Sequence, residues 1–236
     1  MDKQKKIVSM FNEIASTYDV ANRVLSFGVD KSWRKKACDK AYKFYNNNDI
    51  ELIVDVACGT GDMCEYWLKR ASANNIRLHS IIGIDPSTEM LKVAKTKKID
   101  ALFKEGEAKN LPLKDKEADI LSISYGLRNV VDRIEGLKEF NRVLKKDGIL
   151  VILEFTKLEN ATAMSKIRDF YMKKVLPIVG GIVSKNYEAY SYLPNSIENF
   201  LTREKLVNEL KQCGFEPLLV KGFSMDISTL FIAKKL

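Results

Sequence analysis

Apolar residues at Ile7, Phe11, Ile14 and Tyr18, spaced by polar ones, predict one amphipathic helix over 3–17. A second helical spacing runs over 31–45 and stops at the polar run Asn46-Asn47-Asn48-Asp49. The pattern then changes. Short apolar runs at 51–56, 78–84, 100–105, 118–124 and 148–155 alternate with helical stretches at 62–72, 87–96 and 132–145. Strands alternating with helices build a parallel sheet through crossover connections. Gly148, after Lys145-Lys146-Asp147, reads as the stop of the third helix in that series. The rhythm breaks over 157–200. This stretch reads as an inserted cap, with an amphipathic helix around Ile167, Phe170, Tyr171 and Val175, the apolar run 176–183, and Tyr187, Tyr190 and Tyr192. A helix at 202–212, N-capped by Thr202, leads into two strands near 215–221 and 227–233.

Asp55-Val56-Ala57-Cys58-Gly59-Thr60-Gly61-Asp62 sits between the first strand and its helix. A glycine turn in that place lets the backbone approach a ligand closely. The dinucleotide pattern GxGxxG would need glycine where the chain has Cys64. Carboxylates at Asp55 and Asp62 also oppose a pyrophosphate at the helix N-terminus. They suit a cationic ligand, and S-adenosylmethionine, with a sulfonium and an ammonium and no phosphate, fits. Asp85 closes the next strand, where an acid accepts hydrogen bonds from ribose hydroxyls.

The net charge of +8 comes from 39 Lys+Arg against 31 Asp+Glu, spread along the chain. That balance draws a protein toward anionic surfaces, but no arginine-rich tract marks a nucleic-acid arm. The 4 cysteines show no CxxC spacing and read as reduced thiols, with a cytoplasmic location expected. A single histidine, His79, excludes histidine metal clusters and gives no Ser–His pair; no metal site is expected. No apolar run reaches the ~20 residues of a membrane span.

Three separated segments narrow the reading: Tyr18-Asp19-Val20-Ala21-Asn22 continuing to Trp33, Ser124-Tyr125-Gly126-Leu127-Arg128-Asn129-Val130, and Arg142-Val143-Leu144-Lys145 through Gly148 to Leu153-Glu154-Phe155. With the glycine loop and Tyr190-Ser191-Tyr192-Leu193-Pro194, the chain resembles the ubiquinone/menaquinone biosynthesis C-methyltransferase family along essentially its whole length. It departs from the family pattern at Ala21 (usually Met), Asp30 (usually His) and Asp147 (usually Pro).

The resemblance implies an α/β, Rossmann-like class I S-adenosylmethionine-dependent methyltransferase in one domain, 1–236. Its sheet would be mostly parallel and seven-stranded, with an antiparallel C-terminal strand, a helical N-terminal segment over 1–45 and the helical cap over 157–200. It implies donor contacts from Thr60, Asp85, Glu107, Ala108 and Ser124, beside the loop residues Asp55, Gly59, Gly61 and Asp62. The implied substrate is a polyprenylated hydroquinone. Arg128 would favour its phenolate, Asn129 would donate to a ring oxygen, and Tyr18 or Asp19 are weaker candidates for proton acceptor than a water polarised by Arg128. Transient contact with the inner face of the cytoplasmic membrane and a homodimer are held open. So are methylation of another small phenol, lipid or RNA, and a non-catalytic role in binding the donor. Nucleic acid is not an expected partner.

Overall fold

The computed structural model describes residues 2–157, 171, 174, 176–184, 186–224 and 226–236. Its elements are α1 (Lys3–Ile14), α2 (Tyr18–Leu25), α3 (Val29–Tyr45), β1 (Asp49–Val56), α4 (Asp62–Ala73), β2 (Arg77–Asp85), α5 (Thr88–Thr96), β3 (Leu102–Glu105), β4 (Ala118–Ser124), a 3-10 turn (Leu127–Asn129), α6 (Arg133–Val143) and β5 (Leu144–Glu154), followed by α7 (Leu176–Ser184), α8 (Tyr187–Glu198), α9 (Arg203–Gln212), β6 (Phe215–Phe223) and β7 (Ser228–Lys235).

The seven strands form one sheet in the order β3-β2-β1-β4-β5-β7-β6. β1 to β5 run parallel, and β7 is antiparallel to both β5 and β6. This is the expected architecture. α3 and α4 cover one face through Trp33, Ala37, Tyr42, Met63 and Trp67. α6 and α9 cover the other through Leu137, Phe140, Leu206 and Leu210. Both faces are therefore dry, and a fully buried side chain such as Phe140 contributes about 1.5–3 kcal/mol relative to exposure. The chain winds away from β1 in both directions, so β1 and β4 flank a switch point where a crevice opens at the strands' carboxyl ends. α1, α2 and α8 lie together through a third cluster of Ile14, Ala15, Ala21, Leu25, Ala189 and Tyr190.

Two expectations change. The helix expected over 3–17 is broken. The Thr17 N–H and Oγ1 both donate to the Ile14 carbonyl, at 3.1 and 3.2 Å, and Tyr18 starts a second helix. Gly148 does not stop a helix. α6 ends at Val143, β5 begins at once, and Gly148 lies inside the strand beside a register shift against Ala118 and Ile120. A Cβ there would stand 2.9 Å from the Lys145 carbonyl oxygen, so the bulge needs glycine. The cap helix expected around Ile167, Phe170 and Val175 lies outside the described residues, although Tyr171 is described and donates to the Leu25 carbonyl at 2.7 Å. Thr202 caps α9 as expected, accepting from the Lys205 N–H.

Candidate active site

Two cavities meet over the switch point. The first, of about 90 Å³, is lined by Gly59, Asp85, Glu107, Ala108 and Ser124 from the strand tips, with Asn129 beside them. Five of the residues expected to hold S-adenosylmethionine thus come to one place. α1 closes the cavity from outside through Gln4, Ile7, Val8 and Phe11. Small-molecule pockets usually measure about 300–1,000 Å³, so with α1 in this position the cavity is smaller than a nucleoside site.

The donor set fits the expected ligand. Asp85 is buried, its Oδ2 accepting from the Gly59 N–H and its Oδ1 from the Ser87 N–H, both at 2.8 Å. Burial pushes its carboxyl up to about 6 against these two bonds. Each oxygen keeps a lone pair for a ribose hydroxyl. The Ser124 hydroxyl in the same cavity is buried with no partner among the described residues, an orphan that a polar ligand atom would satisfy. Glu107 is exposed at the rim.

Asp55, Thr60, Gly61 and Asp62 do not line this cavity. Gly61 has φ +82 and caps α4, and a Cβ there would press Ile99 and Phe103 at 3.0 Å. Asp55 points behind the loop, accepting from Ser122 Oγ at 2.6 Å, while Trp67 Nε1 donates to that same oxygen at 3.0 Å. Burial lifts Asp55 to about 7, so it is only partly ionised at neutral pH. Thr60 Oγ1 donates to Asp19 at 2.6 Å. Asp62 is bridged by Arg23 and by Lys97, and Lys97 also holds Asp19 at 2.6 Å. Arg23 and Arg34 both hold Asp30. Burial alone would raise Asp62, but Arg34, Lys97 and Arg23 hold it below the usual carboxylate range. Of the two loop acids read from sequence as partners of a cationic ligand, Asp55 ties the loop to β4, and Asp62 fastens α2 and, through Arg23 and Asp30, α3 to it. Asp30, the departure from the family pattern, is part of that fastening.

The second cavity is larger, about 410 Å³, and mostly apolar. Phe27, Trp33, Phe155, Tyr171, Tyr190 and Leu193 line it, together with Arg34 and Arg128. Phe11, Tyr18 and Tyr125 belong to both cavities and form their shared wall. Burial raises the Tyr18 phenol, while Asn22, Arg128 and Arg34 pull it down. Tyr125 adopts φ +59, a left-handed conformation costing an aromatic residue about 1–3 kcal/mol. It is held there by its N–H to the Leu153 carbonyl at 2.7 Å, by Ser228 at 3.0 Å and by stacking on Phe155 at 4.5 Å.

Arg128 is not a surface residue. Its side chain is 7% exposed and its Nη1 meets Glu154 Oε1, itself 0% exposed, at 2.7 Å. Nη1 also donates to the Tyr125 carbonyl, Nε donates to Ser196 at 3.2 Å, and the guanidinium lies 5.5 Å from the Phe155 ring centroid. Among the described residues Nη2 has no hydrogen-bond partner. Asn129 accepts from the Tyr192 hydroxyl at 3.1 Å. Asp19 lines neither cavity. Glu154, Tyr125, Arg34 and Tyr190 carried no site role in the sequence reading, although all but Arg34 lie in segments that carry the family resemblance.

A model of the ubiE/COQ5 methyltransferase family matches residues 1–235. The chain is 56% identical over 236 residues to the ubiquinone/menaquinone biosynthesis C-methyltransferase UbiE of Campylobacter jejuni subsp. jejuni serotype O:23/36 (strain 81-176), with 100% of each chain covered. It is 38% identical over 232 residues to the demethylmenaquinone methyltransferase of Chlorobaculum parvum, covering 98% of this chain and 93% of that one. Among solved structures, a SAM-dependent methyltransferase from Thermotoga maritima matches with TM-score 0.61 at 21% identity, over 98% of this chain and 100% of that one. Another from Aquifex aeolicus matches with TM-score 0.56 at 15% identity, over 84% and 89%. At those identities the structures share the fold alone. The relatives extend the match across the whole chain, glycine loop, shared wall and cap included, and by it this protein belongs to the ubiE/COQ5 methyltransferase family.

Proposed function

We propose that this protein transfers a methyl group from S-adenosylmethionine to a ring carbon of a polyprenylated hydroquinone. The observation that carries the reading is the shared aromatic wall. It sets a donor cavity with ribose-binding chemistry against an apolar chamber that holds a buried arginine.

Bound in the first cavity, S-adenosylmethionine supplies an electrophilic methyl on a cationic sulfur. The ring carbon beside a phenolic oxygen forms the new C–C bond as the C–S bond breaks, leaving a neutral thioether. The ring carbon then loses its proton. A neutral phenol is a weak carbon nucleophile, and free phenol titrates near pH 10. Arg128 favours the phenolate by donating from Nη2. Glu154 offsets much of the Arg128 charge, so the arginine acts as an aimed donor more than as a bare cation. Stacking on Phe155 and the bonds to Ser196 and Tyr125 hold that aim before substrate arrives. No basic side chain among the described residues of the site stands free to take the proton. Asp19 is held by Thr60 and Lys97, Asp30 by Ser26 and two arginines, and the Tyr18 phenol is itself raised by burial. Water is therefore the acceptor.

The prenyl tail leaves past Phe27, which lines the chamber and is 81% exposed. Val20, Val24, Ile178 and Ile182 are exposed on α2 and α7, which pack together. No helix among the described residues is long and apolar enough to cross a membrane, and this apolar edge suits the surface of one. Ile178→Asp combined with Ile182→Asp is expected to abolish most flotation with anionic vesicles at low salt, leaving turnover on a short-tailed quinol within about threefold. Unchanged flotation would remove the edge from the reading.

The reaction itself is tested with isotopically labelled S-adenosylmethionine and each reduced prenyl quinone precursor. Label on a ring carbon supports it, and label on oxygen or on neither acceptor refutes it.

A further inference from the structure

The acceptor chamber contains two buried donors that no described residue satisfies. Arg34, on α3, is 6% exposed, and Tyr190, on α8, is 4% exposed. Arg34 Nη1 is taken by Asp30 at 2.6 Å and its guanidinium carbon lies 5.2 Å from the Tyr125 ring centroid, yet its Nε has no partner among the described residues. The Tyr190 hydroxyl has none either. Each unmade buried bond is a cost to the fold. A phenylalanine at 190 would remove its share without loss of packing. The fold instead makes room for this ring: a Cβ on Gly180 would come within 2.4 Å of it.

Both side chains line the apolar chamber, on different elements from Arg128. Arg34 and Arg128 also both act on the Tyr18 phenol in the shared wall. Both arginines line this one chamber of about 410 Å³. We propose that Arg34 Nε and the Tyr190 hydroxyl hydrogen-bond the acceptor oxygen that Arg128 does not engage, and so select a hydroquinone over a monophenol. This deepens the reading above and rests on it for the identity of the chamber. Neither residue takes part in bond making; both are positioning and specificity residues.

Trp33 lines the same chamber, so its fluorescence reports acceptor binding without turnover. The test titrates the full-length protein with a short-tailed hydroquinone and with the monophenol lacking the second oxygen, and measures kcat and KM for both. The wild type is expected to bind the hydroquinone at least about tenfold more tightly. Tyr190→Phe, and separately Arg34→Lys, should weaken hydroquinone binding about tenfold and raise its KM, leaving monophenol binding and S-adenosylmethionine affinity unchanged. Arg34→Lys keeps a cation for Asp30, and unchanged donor affinity certifies the fold. Equal affinity of the wild type for both acceptors overturns the proposal. So does wild-type hydroquinone binding in both variants. Preference in binding with no methyl transfer would refute the reaction and leave the recognition standing.

Discussion

Arg128→Ala is expected to lower kcat by about 10²–10³-fold, the usual cost of removing one aimed donor from developing or stabilised negative charge. It should also destabilise the fold by about 3–5 kcal/mol, because Glu154 is 0% exposed and would keep its charge without a counter-ion. These two effects separate cleanly. Arg128→Ala combined with Glu154→Gln removes both charges. In the wild type the backbone N–H of position 128 donates to Glu154 Oε2 at 3.1 Å and that of position 155 to Oε1 at 2.8 Å, so the one amide oxygen introduced at position 154 keeps one of these two bonds. The double variant should regain part of the stability in a denaturant melt and none of the turnover. Arg128→Lys should fold and retain part of the activity, since an ammonium cannot meet Glu154 and a phenolate with the same fork. Near-normal kcat in the double variant would show that Arg128 serves the fold alone.

Asp85→Asn is expected to weaken S-adenosylmethionine binding about 10²-fold, measured by calorimetry. The carboxylate accepts two backbone N–H groups and still offers lone pairs to the cavity. An amide replaces one of those acceptors with a donor that faces other donors. The wild type should also show a pH dependence. Burial holds the ligand-free Asp85 carboxyl at about 6. Ribose hydroxyls bind the ionised form, so affinity falls as pH drops through 6, approaching tenfold per pH unit below it. The fold itself runs the other way. Asp85 and Asp55, with folded values of about 6 and about 7 above an ordinary 3.8, are most favourable below pH 3.8 and lose stability as pH rises through those values. Asp85→Asn should remove the pH slope of donor affinity between 5 and 6; a slope that persists would assign it to another group.

The strands were readable in the sequence because each apolar run is bounded by polar or glycine turns and each helix between them shows one apolar face. The glycine loop and Asp85 were readable because their positions follow from strand, turn and helix in order. The break after Ile14 was not, since Ala15-Ser16-Thr17 contains neither glycine nor proline. It follows from long-range ties such as Thr60 Oγ1 to Asp19, which draw Tyr18–Leu25 onto the loop. The β5 bulge looked like a helix stop because a lysine-rich segment ending in glycine is common to both. At the site, the cavity-facing residues Gly59, Asp85, Glu107, Ala108 and Ser124 were found, but which loop acids turn away was hidden. Asp55 and Asp62 are neighbours of the ligand loop in sequence, and only packing decides that one meets Ser122 and the other Arg23 and Lys97. Glu154 escaped notice because its partner Arg128 is 26 residues away. Arg34 and Tyr190 became candidates only once their burial and missing partners were visible.

If the chamber works by favouring a phenolate, the redox state of the acceptor decides everything, because an oxidised quinone has no phenolic oxygen to ionise and an electron-poor ring. The purified wild-type protein is incubated with methyl-labelled S-adenosylmethionine and one demethylated prenyl quinone, oxidised in one sample and chemically reduced in the other. Label should enter the ring carbon of the reduced sample and stay at background in the oxidised one. Equal transfer to both forms, or transfer to oxygen, would contradict the role given to Arg128 and the chamber around it.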